Sequence, residues 1–191
     1  MKIGVVGAGA LGGYYGGRLC HAGTEVHLLL RADYDVVHER GLRIQSSDGD
    51  FTVHPHAHTI PDSIGICDFV LVCLKTTANN QYHELINPLV GPHTAILCLQ
   101  NGLGNCEQLA GLFGKDRVLA GLCFVCLNRT EPGVVKHQGF GKIVLGEFQR
   151  AAQLRTREIA EIFERSGVSC EVVDEVEAGL WEKLVWNIPF N

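Results

Sequence analysis

Lys183 and Asn187 stand four residues apart near the end of the chain, so on a helix their side chains share a face. A lysine flanked by amides suits reduction of a carbonyl: the ammonium hands over a proton as hydride arrives, and the amides hold the substrate. Asn191 would join that face one turn later. Pro189, however, clashes with the carbonyl of Val185 and restricts Ile188, so the helix is expected to end or kink there. The same spacing also fits a polar stripe on a surface helix.

A second constellation opens the chain. Gly7-Ala8-Gly9-Ala10-Leu11-Gly12 lies between an apolar strand pattern and an apolar helix pattern. Gly7 permits a tight turn, Gly9 lets backbone approach a pyrophosphate, and Gly12 lets the helix pack close on the strand. The helix N-terminus then offers free N–H groups and partial positive charge to phosphates. The bland alternative is a glycine turn that only packs. About 20 residues past the glycines, where an acid would accept bonds from a ribose 2′-hydroxyl, stands Arg31. A guanidinium pairs with a 2′-phosphate, which favours NADP(H); the alternative is a solvated Arg31 with Asp33 serving an NAD ribose.

These residues need elements to hold them. Apolar segments alternate with helical ones: strand 2–6 and helix 11–22, strand 25–30 and helix 34–40, strand 68–74 and helix 77–90, strand 94–99 and helix 105–113. Strands this apolar are buried on both faces, which implies a parallel sheet covered by helices. Lys75 and Gln100-Asn101-Gly102 close two of the strands, on the edge where open parallel sheets bind ligands. Lys75 reads either as a phosphate or substrate contact or as a solvated side chain. Asn101 is the stronger candidate, since its amide both donates and accepts beside a nicotinamide ribose or a substrate carbonyl.

Segments 41–45 and 51–54 flank a Ser-Ser-Asp-Gly-Asp turn and read as an inserted hairpin. From 117 to 147 the pattern is β-rich, with a turn at Glu131-Pro132-Gly133. A helix over 152–166, a strand over 168–173 and a last helix from Glu175 follow. The expected architecture is α/β, a Rossmann-type doubly wound, mostly parallel sheet with a β-rich extension. Its division is a dinucleotide-binding domain over 1–173 and, over 174–191, the first helix of a helical second domain before which the chain stops.

Sixteen Lys and Arg against 21 Asp and Glu give a net charge of −5, with no basic block that would follow a nucleic-acid backbone. No apolar run approaches the ~20 residues that cross a bilayer, and no signal peptide precedes the first strand; a soluble, cytoplasmic protein is expected. Of the eight cysteines, Cys20, Cys67, Cys73, Cys98, Cys123 and Cys126 fall in apolar patterns and are expected to be reduced and buried. Cys123 and Cys126 have redox-motif spacing, but within a strand and not at a helix N-terminus. His54, His56 and His58 alternate like metal ligands. With Pro55 among them and no partner acid or cysteine nearby in sequence, they are read as an exposed edge strand, and no metal is expected.

The ordered set resembles the ketopantoate reductase family along the whole chain. Members of that family begin with G-x-G-x-x-G, carry Asn-Gly after a later strand, and place K-x-x-x-N-x-x-x-N in a helix after the Rossmann domain. The resemblance implies Arg31 as the 2′-phosphate contact, with Lys75 and Asn101 at the cofactor and active-site edge. It further implies Lys183 as general acid and Asn187 and Asn191 as substrate-binding amides. The implied reaction is hydride transfer from NADPH to the ketone of 2-dehydropantoate, giving pantoate for pantothenate and coenzyme A biosynthesis.

The family continues into a helical domain that supplies a catalytic Glu and a Ser. This sequence ends before either, so alone it is expected to bind cofactor better than it turns over. Segment 122–130 carries no signature of the substrate, and a homodimer stays open. An opine or 3-hydroxyacid dehydrogenase of similar build, and a non-catalytic module that senses NADP(H), are the competing readings. Lys183 with Asn187 weighs against the sensor, which needs no proton donor.

Overall fold

The computed structural model describes residues 1–190. Strand β1 (Lys2–Val6), helix α1 (Ala10–His21), β2 (Glu25–Leu29) and α2 (Tyr34–Arg40) open the chain. The hairpin β3 (Leu42–Ser46) and β4 (Phe51–Val53), then β5 (His56–His58), β6 (Cys67–Val72), α3 (Tyr82–Ile86), β7 (Val90–Cys98) and α4 (Asn105–Phe113) follow. The chain continues through β8 (Val118–Glu131), β9 (Val134–Glu147), α5 (Leu154–Arg165), β10 (Cys170–Val172) and α6 (Val176–Phe190). Among the described residues one sheet forms in the order β4-β3-β9-β8-β7-β6-β1-β2-β5, with β10 also on β9.

From β5 across to β8 every neighbouring pair is parallel; β8 with β9 and β3 with β4 are antiparallel. Strand alternation sorts side chains to two buried faces. Ile3, Val5, Phe69, Leu71 and Leu97 pack with Tyr15 and Leu19 of α1 and with Phe163 of α5. Val6, Val70, Val72 and Ile96 pack with Tyr82 and Ile86 of α3 and with Leu109 of α4. The mostly parallel α/β sheet expected from the apolar runs is therefore present.

The sheet curls around α1 because one side of that helix is glycine. Gly12 and Gly16 meet Val5 of β1 and Leu28 of β2, while Gly13 and Gly17 meet Val135 of β9 and Ile44 of β3. The hairpin and the β-rich extension thus wrap the helix and close the core on it.

Three expectations need correction. The helix over 77–90 is instead a 3-10 segment (Thr76–Gln81), the short α3 and a second 3-10 turn (Asn87–Leu89). Pro88 cannot donate an interior helical bond, and Asn79 spends its side chain on Gln100 and Asn105. Cys126 is exposed, because the outer half of β8 runs beyond the core and turns alternate residues to solvent. Helix α6 continues through Pro189 to Phe190, one residue past the proline at which an end or kink was expected.

Glu147, at the end of β9, is fully buried and ties α5 to the sheet. It accepts from Arg155 Nε at 2.8 Å, from the Thr156 hydroxyl at 2.7 Å and from Arg150 at 2.9 Å. Burial pushes its carboxyl up, but the bonds from Arg155, Thr156 and Arg150 outweigh that and hold it below the usual range. Because the folded-state value is depressed, its stabilisation is complete above the unfolded value and is lost as pH falls through the folded one. Glu147→Gln should cost about 3 kcal/mol at neutral pH. In denaturant titrations the gap from wild type should close as pH falls through the carboxylate range; a pH-independent gap would contradict this ion-pair account.

Candidate active site

The β1–α1 turn forms by backbone bonds, Gly9 N to Gly7 O and Gly13 N to Gly9 O, both at 2.8 Å. Gly7 sits at φ 94°, a conformation that favours glycine, and a Cβ there would lie 2.6 Å from the backbone nitrogen of Leu74. A Cβ on buried Gly12 would lie 2.5 Å from the carbonyl oxygen of Gly7. Ala10 and Leu11 open α1 above it.

Gly9 is different. A Cβ there would meet nothing within 4 Å. Packing therefore leaves room for a side chain at Gly9, and that room lies on a cavity of about 370 Å³ lined by Gly7, Ala8 and Gly9. The first turn of α1 directs its free N–H groups to this side.

Arg31, Lys75 and Arg129 also line the cavity, with Leu30, Thr59 and Leu85 as further wall. Arg31 stands on the β2–α2 link, exposed, with Nη2 donating to Gln81 Oε1 at 2.7 Å. Lys75 follows β6 and is exposed. Asp33 is buried: Arg129 Nη1 donates to it at 2.5 Å and the Gly133 N–H at 3.3 Å. Its carboxylate is thus committed to holding the β8–β9 turn under α2. Arg31 and Lys75 near a helix N-terminus, with Asp33 and Arg129 paired at the same wall, fit a ligand carrying several phosphates. A nicotinamide dinucleotide fits this residue set; Gly7, Ala8 and Gly9 would face its pyrophosphate.

The second half of the site lies where β7 ends. Lys183 Nζ donates to Asn101 Oδ1 at 3.0 Å and to the Cys123 carbonyl at 2.9 Å. Lys183, Asn187, Asn101 and Gly102 line one small pocket, so the i, i+4 pair of α6 meets the strand-end amide. Asn191 lies outside the described residues. Burial pushes the Lys183 ammonium below the usual lysine range. Beyond Lys183, a hollow of about 790 Å³ opens between α6 and the β8–β9 ribbon, walled in part by Phe124 and Phe140.

A polar relay that sequence reasoning missed holds the Asn101 loop. Gln100 donates to Asn79 at 3.0 Å, Asn79 donates to Asn105 at 2.8 Å, and Asn105 donates back to the Asn101 carbonyl at 3.1 Å. Tyr82 donates to Gln100 from the other side. Arg129 was missed as well. The one local hint was the amide-rich Asn79-Asn80-Gln81, which reads as part of a helix until its partners are known.

Comparison with known proteins places this geometry. Residues 3–150 match the family model described as Ketopantoate reductase PanE/ApbA. The whole chain aligns at 41% identity with the 2-dehydropantoate 2-reductase of Nostoc sp. strain PCC 7120, covering 61% of it. At 34% identity it aligns with that of Halobacterium salinarum, covering 64%. A crystal structure of 2-dehydropantoate 2-reductase from Geobacter metallireducens GS-15 superposes with a TM-score of 0.97 at 51% identity, over 100% of this chain and 64% of that one. The chain spans somewhat over three fifths of the length of these relatives, 61% to 64%.

Proposed function

This chain belongs to the ketopantoate reductase family, and from that premise we propose that it is the cofactor-binding part of an NADPH-dependent 2-oxo acid reductase. The substrate proposed is 2-dehydropantoate, reduced to pantoate for pantothenate and coenzyme A biosynthesis in the cytoplasm. Support for the substrate is that the similar proteins are 2-dehydropantoate 2-reductases, and 2-oxo acid chemistry fits the lysine and amides gathered at the strand ends. Residues 174–191 are proposed to begin the substrate-binding part.

The observation that carries the reading is the bond between Lys183 and Asn101, which joins a partly buried ammonium to the edge that ends the parallel strands. A bound nicotinamide supplies the hydride. Lys183 then supplies the proton to the new alkoxide: burial lowers its hold on the proton, while Asn101 and the Cys123 carbonyl fix where Nζ points. Asn187, one turn along α6, offers the substrate an amide. A module that only sensed the nucleotide would have no use for an ammonium held this way.

NADPH is proposed over NADH because Arg31 is exposed at the cavity while Asp33 is committed to Arg129. Calorimetric titration should give tighter binding of NADPH than NADH, and Arg31→Ala should remove at least about tenfold of NADPH affinity while leaving NADH nearly unchanged. Equal binding of the two nucleotides by wild type would overturn the NADPH assignment. In the complete protein, Lys183→Ala should lower kcat about 10²- to 10⁴-fold with NADPH affinity kept. Undiminished turnover would refute the general-acid role.

A further inference from the structure

Strands β2 and β5 run parallel at the sheet edge, with His27 opposite His56 and Leu29 opposite His58. Alternation along each strand turns Glu25, His27, His56 and His58 to one face. The acid and the extra histidine that His56 and His58 lack nearby in sequence therefore come from β2.

Their hydrogen bonds form a directed chain. The Ser63 hydroxyl donates to the Ile60 carbonyl at 2.7 Å and lies 2.8 Å from His58 Nδ1. A hydroxyl has one proton, and when it goes to Ile60, His58 can donate from Nδ1 to the Ser63 oxygen and accept at Nε2. In the tautomer that leaves His27 Nε2 free for a metal, His27 Nδ1 donates to His58 Nε2 at 2.9 Å. His27 Nε2 is left with a lone pair facing Glu25 Oε1 at 2.9 Å. A bound cation would bridge these two atoms in place of the proton that the opposite tautomer puts between them.

The ring of His56 stacks on that of His27 with centroids 4.5 Å apart, and one ligand atom from each of Glu25, His27 and His56 lies within 4.8 Å of the others. Two imidazoles and a carboxylate suit a borderline divalent ion, and the ~2 Å bonds of zinc would be reached by turning the exposed His56 ring out of its stack on His27. Glu25 and His56 are exposed, so the ion can enter and water can complete its shell.

We propose that Glu25, His27 and His56 form a divalent transition-metal site of the Zn²⁺ class, with His58 as the outer partner that fixes the His27 tautomer. Such partners are usual behind ligating histidines. The ion clamps the three-residue edge strand β5 onto β2, the strand that leads to Arg31.

The test is calorimetric titration of the untagged chain with ZnCl₂, with metal content measured after dialysis. One Zn²⁺ per chain is expected, with a rise in unfolding temperature on adding zinc. Glu25→Gln and His56→Ala, both at exposed positions, should each weaken binding by at least about tenfold and abolish the rise. His54→Ala, outside the cluster, should bind as wild type. No stoichiometric binding, binding undiminished in both cluster variants, or an equal loss in His54→Ala would overturn the site. None of these readouts depends on nucleotide binding or turnover.

Discussion

The backbone contact between the β1–α1 turn and its surroundings governs the rest of the structure. At Gly12 the helix touches the turn, and at Gly7 the turn touches the chain leaving β6, both at distances that any side chain would abolish. The hydrophobic contacts of α1 are spread over β1, β2, β3 and β9, so moving the helix outward by even one methyl would loosen several strands together. Because the helix sits so low, its N-terminus, Arg31, Lys75 and Asn101 share one edge. The site follows from the packing.

Charge and hydrogen bonding finish what packing begins. Of the two buried acids, Glu147 is spent on fastening α5 and Asp33 on fastening the β8–β9 turn, each matched by arginine. Leaving either buried carboxylate unmatched would cost several kcal/mol, more than the ~1 kcal/mol typical of an exposed pair, so neither acid is spare for a ligand. At the cavity, Arg31 and Lys75 are in excess of the Asp33–Arg129 pair. At the other end, Lys183 gives up water for two oxygen acceptors, and the Gln100–Asn79–Asn105 relay holds one of them in place.

Features set by local chemistry were legible in the sequence: the glycine turn, the apolar parallel strands, the helix at Asn105–Phe113 and the turn at Glu131-Pro132-Gly133. Features that depend on distant partners were not. The segment after Lys75 has helical composition, yet Asn79 bonds residues 21 and 26 positions away and the helix breaks into short turns. Asp33 could stand for a ribose contact until Arg129, 96 residues on, proved to hold it. His56 and His58 looked isolated because Glu25 and His27 lie on a strand some 30 residues earlier. Cys126 was misread because hydrophobic pattern does not reveal where a long strand leaves the core.

The central claim is that the glycine turn is shaped for a dinucleotide and not only for folding, and Gly9 separates the two. A Cβ at Gly9 meets no protein atom within 4 Å, whereas one at Gly12 would strike backbone. The direct measurement is therefore Gly9→Val, with unfolding temperature and NADPH affinity determined on the same sample. An unfolding temperature close to wild type with NADPH binding lost is the expected result. A folded variant that binds NADPH as tightly as wild type would contradict the account, since the pyrophosphate could not then lie against the turn.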